Sequence, residues 1–333
     1  MIDRGVAERR HVPVMRDRIV ELLAPALQEP GSILVDGTLG MGGHAAAILR
    51  ACPHARVIGI DRDTEALQLA GERLAEFGDR FTPVHSVYDE IDEVLSDLEI
   101  ASVQGALFDL GVSSLQLDAE DRGFAYRVDA PLDMRMDQSQ GMTAADVLNI
   151  WSSADLEQIL KEYGEERFAR KIARQLVERR EVKPWETSGE LVDLLSKAVP
   201  AASQRSGGHP AKRTFQALRI AVNEELSVWA DALPKALEKL SVDGRIVVMS
   251  YHSLEDRITK RALVAGSTSS APPEFPVELP EHEPWLKMLT RGAEKASETE
   301  TASNSRAASV RVRAAMRIKE QMNTQPGQRK RTR

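Results

Sequence analysis

Short apolar segments recur along the chain, and their lengths and spacing predict a parallel β-sheet. Five of them end at glycine or polar residues and are too short to be buried helices. They are 32–36, 56–61, 81–87, 105–111 and 244–250. After the second segment, Leu67, Ala70 and Leu74 follow helical spacing, so strand and helix alternate. The pattern therefore predicts a doubly wound α/β fold.

The alternation breaks between the fourth and fifth segments, which lie much farther apart than a crossover helix requires. Three capping-box spacings fall in this interval and predict the starts of helices. The pairs are Thr143 with Asp146, Ser152 with Asp155, and Thr187 with Glu190. We therefore predict an all-helical inserted domain at 119–211 between two parts of the α/β domain, 1–118 and 212–320, with a basic flexible tail at 321–333.

Later apolar positions predict one more long helix. Phe215, Leu218, Val222, Leu226 and Trp229 share one helical face and are expected to return the chain to the sheet.

The C-terminal third carries weaker signals. Ser253 begins a capping-box spacing and is expected to cap a helix. Residues 266–305 are rich in Ser, Thr, Pro and Glu, which indicates an irregular loop. The segment 310–313 is typical of a late edge strand.

The composition is that of a soluble globular protein. Hydrophobic residues make up 42% and charged residues 29% of the 333 residues, and no apolar run approaches the roughly 20 that span a bilayer. The N-terminal segment lacks the apolar core of a signal peptide. Cys52 is the only cysteine, which excludes a disulfide framework and a cysteine-rich zinc site. We expect a cytoplasmic protein with no metal site and no membrane partner.

The charge distribution leaves nucleic acid open as a partner. The net charge of -7 argues against a generally basic surface, but residues 306–319 and the final QRKRTR are locally basic. A basic tail that binds nothing specific is the alternative interpretation.

The first strand runs into a loop rich in glycine, LVDGTLGMGGH at 34–44. Gly40, Gly42 and Ala45 satisfy the dinucleotide fingerprint, and Asp61 lies at the offset expected for an acid that binds ribose hydroxyls. No Gly-Lys-Ser/Thr closes the loop, which excludes a Walker-type NTPase. Nicotinamide dinucleotides and S-adenosylmethionine both carry an adenosine ribose, so both remain open.

Acids at the ends of the predicted strands favour a cationic cofactor. Asp36 ends the first strand and Asp109 the fourth. A carboxylate directly before the glycines would repel a pyrophosphate but would suit an ammonium or sulfonium group. His44 is expected to begin the following helix, where it meets the ligand or simply starts the helix.

Several segments are far more specific than the glycine loop alone. They are DGTLGMGGH, DLGVSSLQLD, RGFAY, LDMRM, YGEERFA, HPAKRTFQALRIAVNEEL and SYHSLEDRI. From His11 to about Arg313 the chain closely resembles the RsmH, or MraW, family of ribosomal RNA small subunit methyltransferases. The resemblance implies a Rossmann-like S-adenosylmethionine-dependent methyltransferase sheet interrupted by a helical substrate-recognition domain. It also implies N4-methylation of a decoding-centre cytosine, cytosine 1402, of 16S rRNA in the small ribosomal subunit.

The resemblance further implies a set of cofactor contacts, among which Tyr88 has no signal of its own in the residue pattern. The set consists of Gly42, Gly43, His44, Asp61, Tyr88, Asp109 and Gln116.

The expected chemistry requires a group that accepts a hydrogen bond from the cytosine amino group, because the nitrogen lone pair is delocalised into the ring. Asp109 is the first catalytic candidate, although it could serve only as a cofactor ligand. His252 and Asp133 are the secondary candidates.

The RNA substrate requires further residues. A flipped base would need an apolar pocket, for which Phe124, Tyr126 and Tyr251 are candidates. The candidates for contact with RNA phosphates are Lys212, Arg213, Arg311 and Arg313.

Two other classes of function stay open. One is an NAD-dependent Rossmann oxidoreductase, and the other is a nonenzymatic RNA-binding module. The expected partner is 16S rRNA within the small subunit, and the protein would act either as a monomer or as a homodimer.

Overall fold

A computed structural model describes residues 12–200, 209–272 and 279–320. The chain divides into two compact units. The first takes its described residues from Met1–Asp61, Gly71–Leu110 and Trp229–Arg333, and the second consists of Arg62–Ala70 and Gly111–Val228. No described helix is both long and apolar enough to cross a membrane.

The first unit is built on a seven-stranded sheet in the order β3-β2-β1-β4-β5-β7-β6. The strands are β1 (Ile33–Asp36), β2 (Arg56–Asp61), β3 (Phe81–His85), β4 (Val103–Asp109), β5 (Leu240–Ser250), β6 (Leu286–Met288) and β7 (Arg311–Arg317). The first five are parallel, whereas β7 is antiparallel to both β5 and β6. All five strands predicted from the apolar segments are confirmed.

The α-helices of the described chain follow in this order: α1 (Arg16–Leu23), α2 (Gly43–Ala51), α3 (Thr64–Leu74), α4 (Ile91–Asp97), α5 (Ser114–Asp118), α6 (Ala144–Ile150), α7 (Ser153–Glu162), α8 (Ala169–Arg180), α9 (Ser188–Ala198), α10 (Ala211–Asn223), α11 (Glu225–Lys239), α12 (Ser253–Ser267) and α13 (Glu298–Ser303). Short 3-10 turns occur at several of the connections, including Tyr88–Glu90 after β3.

The core of the sheet unit forms because its central strands are apolar on both faces. Val35, Ile58, Phe108 and Val248 are fully buried there, together with Trp229 of α11. The Trp229 ring lies 4.9 Å from that of Phe108, and its Nε1–H donates to the hydroxyl of Thr259 at 3.0 Å. A large indole is thus buried without leaving its polar atom unsatisfied.

The second unit has a separate helical core. Leu156, Ile172, Leu176 and Trp185 are buried in it. Thr143 caps α6 as predicted, since its side chain accepts from the backbone N–H of Asp146 in a complete capping box. The predicted all-helical character of this part of the chain is therefore confirmed.

A buried ion pair connects Asp63, the residue before α3, to the segment after α5 within the second unit. Arg122 Nη1 donates to Asp63 Oδ2 at 2.6 Å, and both side chains are almost fully enclosed. Asp63 Oδ1 accepts from the backbone N–H of Glu65 at 3.1 Å. Arg122 Nη2 also donates to the carbonyls of Arg135 and Met136. Removing one partner of such a pair would leave a buried charge without compensation.

The single helix predicted through Phe215 and Trp229 is wrong. Glu224 has φ of 51°, a left-handed conformation that ends α10 before α11 begins. Phe215 and Leu218 then pack in the core of the helical unit, whereas Trp229 packs in that of the sheet unit. Packing therefore places α10 with the helical unit, although the predicted boundary at 211/212 assigns it to the sheet. The functional limits of the insert stay a prediction.

Two predictions for the C-terminal third are also wrong. Segment 310–313 is not an edge strand, because β6 pairs with the far side of β7. That β6 lies within 266–305, which was expected to be irregular and which also holds α13. A strand of three residues is too short to produce a period-two signal. The predicted tail lies outside the described residues.

The cap of α12 is also displaced from the prediction by one residue. His252, not Ser253, is the N-cap residue, and Glu255 occupies the third helical position.

Gly37 marks a close approach of the backbone to a side chain. Its N–H donates to the Leu107 carbonyl at 2.9 Å, which extends the pairing of β1 with β4. A Cβ at this position would lie 2.3 Å from Cε1 of the Phe108 ring, which packs against Trp229. No side chain fits at residue 37 unless the ring moves.

We expect Gly37→Ala to lower the free energy of unfolding by about 1–3 kcal/mol, the usual cost of overpacking a core. Gly71→Ala is the matched control, because a Cβ there meets nothing within 4 Å in α3 and alanine favours a helix by roughly 0.5–1 kcal/mol. Urea unfolding followed by tryptophan fluorescence measures both. Equal stability of the two variants would contradict the close approach.

Candidate active site

Acidic side chains meet at the carboxyl edge of the sheet. Strand β1 lies between β2 and β4, and these strands end at Asp36, Asp61 and Asp109. Because parallel strands end at one edge, the three carboxylates share a region where ligands of such sheets bind. The sequence predicted this convergence, and the structure confirms it.

The glycine loop is held by one of these acids. Asp61 Oδ2 accepts from the backbone N–H of Gly40 at 2.7 Å. Gly40 and Gly42 have φ of 51° and 72°, values that glycine adopts without strain. A Cβ on Gly43 would lie 2.6 Å from Cγ of Pro13. The positions of these glycines are therefore explained by the loop itself, and their contact with a cofactor stays a prediction.

Asp109 is held at three points. Its backbone N–H donates to Thr38 Oγ1 at 2.6 Å, so the last residue of β4 is tied to the glycine loop. Its Oδ1 accepts from the Tyr251 hydroxyl at 2.7 Å, and its Oδ2 lies 3.7 Å from Nε2 of His44. The side chain is still 28% exposed, so a substrate can reach it.

Tyr251 acts as a hydrogen-bond donor to Asp109. Burial raises the pKa of Tyr251 well above its usual value, and the charge and hydrogen bond of Asp109 raise it further. The phenol therefore keeps its proton at any pH at which the protein works. Sequence reasoning treated Tyr251 as a pocket aromatic, because nothing in the pattern showed which acid its hydroxyl would reach.

Asp36 is enclosed by protein atoms, with 1% of its surface exposed. Burial raises its pKa to about 7, while His44 and the backbone N–H of Thr38 act in the opposite direction and Asp109 and Asp61 raise it further. The carboxylate is therefore screened from solvent by the protein itself. A role of Asp36 towards a cationic ligand stays a prediction.

His44 lies in the first turn of α2, which begins at Gly43, one residue before the predicted start, and only 7% of its surface is exposed. Its Nε2 lies 3.7 Å from Oδ2 of Asp109, another residue of the predicted cofactor set.

His252 lies at the start of α12 and faces an acid of its own helix. Its Nε2 lies 3.0 Å from Oε1 of Glu255, whose Oε2 accepts from the backbone N–H groups of Tyr251 and His252. This local pairing explains the position of His252 without a catalytic role. Its predicted role in the reaction stays a prediction.

Tyr88 follows β3 and is half-buried. Its ring lies edge-on at 5.9 Å from Phe108 and 6.1 Å from Trp229. The contacts are those of an aromatic cluster, so packing accounts for the residue on geometry alone. A cofactor contact by Tyr88 stays a prediction.

Gln116 belongs to the second unit. Its Oε1 accepts from the N–H of Ser113 at 3.0 Å, and its Nε2 donates to Asp63 Oδ2 at 3.0 Å. These bonds form a capping box and support the buried acid of the helical unit. The amide is thus already engaged, and its predicted cofactor contact is untested.

Several secondary candidates have structural roles instead. Asp133 forms a two-point pair with Arg135, and although burial favours its neutral form, the hydrogen bonds and charge of Arg135 lower its pKa. Phe124 is buried in the helical core. Arg313 is not a surface phosphate contact, because its Nε and Nη2 donate to the Asp256 carboxylate at 2.7 and 3.1 Å within the sheet unit.

Other candidates stay available to RNA to different degrees. Lys212 is exposed, whereas Arg213 donates to the Glu165 carbonyl at 3.0 Å. Arg311 is half-buried beside Asp256 at 3.4 Å. Tyr126 is half-buried and stacks on His209, with ring centroids 4.6 Å apart.

The strand order, with an antiparallel β7 inserted between β5 and β6, is that of the Rossmann-like methyltransferases, and the glycine loop and strand-end acids lie at the edge where open α/β sheets bind ligands. Within that class, the chain belongs to the MraW methylase family, whose model matches residues 8–318.

Curated relatives cover nearly the whole chain. Ribosomal RNA small subunit methyltransferase H of Saccharopolyspora erythraea is 61% identical over 318 residues, which are 96% of each chain. The protein of the same name from Thermobifida fusca is 60% identical and covers 95% of this chain and 96% of its own. That of Beutenbergia cavernae is 61% identical over 93% of both chains.

The cofactor of this family is S-adenosylmethionine, and the residues present fit it. Its sulfonium is cationic, and the edge of the sheet carries the carboxylates of Asp61 and Asp109 with the additional acid Asp36 behind them. His44 offers a buried imidazole whose two nitrogens have no hydrogen-bond partner among the described residues. A bound ligand or a role in proton transfer would explain why these buried nitrogens have no hydrogen-bond partner in the protein.

The raised pKa of Asp36 gives a pH dependence of stability. The folded protein holds the Asp36 proton more tightly than the unfolded chain, whose pKa is near 3.8. Its contribution is therefore fully present below about pH 4 and is lost as pH rises to about 7, a loss on the order of 4 kcal/mol.

We expect Asp36→Asn to gain stability relative to the wild type as pH rises from 4 to 7, because Asn is uncharged throughout and keeps the oxygen that accepts from Thr38. Urea unfolding at several pH values measures the difference. Asp17→Asn, at an exposed carboxylate, is the control. A difference between Asp36→Asn and wild type that does not change with pH would refute the assignment.

Proposed function

We propose that this protein transfers a methyl group from S-adenosylmethionine to the N4 atom of a decoding-centre cytosine, cytosine 1402, of 16S rRNA in the small ribosomal subunit. Family membership and the printed name of the relatives support ribosomal RNA of the small subunit as the substrate. The single observation that supports the chemistry is the fixed, partly exposed carboxylate of Asp109 at the cofactor edge of the sheet.

The amino group of cytosine requires help because its lone pair is delocalised into the ring. A carboxylate that accepts an amino hydrogen bond localises that lone pair and later takes the proton. Asp109 is suited to this role, because Tyr251 and Thr38 hold it and the Tyr251 hydroxyl bonds to Oδ1 and not to Oδ2. When bound, S-adenosylmethionine supplies an electrophilic methyl group on a positively charged sulfur.

The cofactor is proposed to be held by the residues that the resemblance assigns. Asp61 would bind ribose hydroxyls while it keeps the glycine loop in place through Gly40. Gly42, Gly43, His44, Tyr88 and Gln116 complete the proposed set. His252 is a secondary candidate for catalysis or for positioning the base, because its Nε2 already pairs with Glu255.

The partners follow from the substrate. Exposed Lys212 is the proposed phosphate contact, and such contacts give affinity without choice of sequence. The substrate is a ribosomal subunit, so we propose that the protein acts in the cytoplasm, either as a monomer or as a homodimer.

An NAD-dependent oxidoreductase is disfavoured by the acids at the cofactor edge, which would repel a pyrophosphate. Calorimetry with S-adenosylmethionine and with NAD separates the two enzymes. A nonenzymatic RNA-binding module would bind rRNA without transferring methyl groups.

We expect Asp109→Ala to reduce methyl transfer by about 10²–10⁴-fold, the usual contribution of a positioned base. The assay incubates wild type or variant with labelled S-adenosylmethionine and small subunits from a strain without this methylation, and then measures N4-methylcytosine in 16S rRNA by mass spectrometry. Asp231→Ala, at an exposed acid of the sheet unit, is the control.

Cofactor affinity is measured on the same variants by calorimetry. Retained turnover in Asp109→Ala with normal cofactor binding would remove Asp109 from the chemistry. Absence of N4-methylcytosine with the wild type on naked rRNA, partial particles and finished subunits would refute the proposed function itself.

A further inference from the structure

His44 is a buried base next to the proposed catalytic acid. Its side chain is 8% exposed, and Nε2 lies 3.7 Å from Oδ2 of Asp109. Neither ring nitrogen has a hydrogen-bond partner among the described residues. An imidazole that only started a helix would gain more by facing water, since burying an unpaired polar group costs free energy.

The two oxygens of Asp109 have different neighbours. Oδ1 accepts from the Tyr251 hydroxyl, and Tyr251 cannot receive a proton from Asp109 because the phenol is already protonated. Oδ2 is the oxygen nearer to His44. Among the described groups in contact with Asp109, only the imidazole can take up a proton in the neutral pH range.

We infer that His44 receives the proton that Asp109 takes from the substrate amino group, so that Asp109 is returned to its ionised form. The inference rests on the proposed function. Methylation forms one nitrogen–carbon bond as the methyl–sulfur bond breaks, and the amino nitrogen loses one proton. That proton passes to Asp109 Oδ2, next to His44 Nε2, and finally to water when the site opens.

His44 would become positively charged on accepting a proton, and acidic side chains lie near it. Several elements of the first unit contribute charged or titratable groups near the pair His44 and Asp109. They are Asp36 of β1, Asp61 of β2, Arg73 of α3, Glu255 of α12, Glu300 of α13, and Tyr251 after β5. Arg73 is the cation of this group, and its Nη1 lies 3.4 Å from the position of a Cβ on Gly43.

The first test is independent of activity. Side-chain nitrogen NMR of the full chain gives the titration midpoint of His44 in wild type and in Asp109→Asn, and His44→Gln identifies the signal. We expect the midpoint to fall in Asp109→Asn because an adjacent negative charge is lost. A midpoint that does not move would overturn the inference, because the two side chains would then not interact.

The second test measures the single-turnover rate of methyl transfer from pH 5 to 9, with saturating cofactor and subunits. We expect the wild-type rate to fall at pH values below the His44 midpoint, where the imidazole is already protonated. In His44→Gln we expect a rate at least tenfold lower and without that acid limb. His54→Gln, at an exposed histidine, is the control.

Calorimetry with S-adenosylhomocysteine separates proton transfer from cofactor binding. His44 also belongs to the proposed cofactor set, so we expect the affinity of S-adenosylhomocysteine for His44→Gln to fall, and the rates are compared at cofactor concentrations that saturate each protein. An unchanged pH profile in His44→Gln at saturating cofactor would overturn the inference and leave His44 as a cofactor ligand alone. If the wild type made no N4-methylcytosine, the proposed function would fail, whereas the NMR result would still report on the pair.

Discussion

Repulsion between carboxylates is the constraint on which the candidate site depends. Asp36, Asp61 and Asp109 end three neighbouring parallel strands, and three charges of one sign at one edge would oppose folding. Each is stabilised differently. Asp61 accepts a hydrogen bond from the backbone N–H of Gly40, Asp109 accepts one from the side-chain hydroxyl of Tyr251, and Asp36 is half protonated near pH 7. The edge stays acidic without carrying three full charges.

The same contacts determine the geometry of the loop and the helix that follow β1. Because Asp61 holds Gly40, the chain turns through the left-handed Gly42 and α2 begins at Gly43. His44 then lies at the first turn of α2, near Asp109. Thr38 joins the loop to the end of β4. The position of the Asp109 carboxylate, the proposed catalytic group, and the conformation of the loop are thus parts of one arrangement.

Sequence predicted what depends on local pattern and missed what depends on tertiary contact. The apolar strands and Thr143 as a cap carry signals within a few residues, and both were found. The break at Glu224 carries no such local signal, because the apolar stripe continues across the residue whose left-handed conformation ends the helix. Likewise, the stripe does not show that its two ends, Phe215 and Trp229, are buried in different cores.

The candidate site shows the same limit. Asp36, Asp61 and Asp109 could be placed at one edge because strand ends are visible in the sequence. The hydrogen-bond partner of each acid could not be predicted. Tyr251, for example, lies 142 residues from Asp109, and no periodicity relates the two. The motif that identifies the family compensates in part, but it names residues without giving their hydrogen bonds.

Charge conservation relates the acidic edge to the proposed reaction. Methyl transfer removes the positive charge of a sulfonium and releases one proton from the amino group, so the site faces one positive charge before the step and one after it. The acidic edge stabilises the sulfonium charge before the step. After the step the proton leaves, and the edge must not then carry a large negative charge. A proton received by Asp109 and His44 keeps the balance, and the raised pKa of Asp36 adds a group that gains or loses charge near neutrality. The electrostatic arrangement that suits a cationic cofactor therefore also suits the removal of a proton.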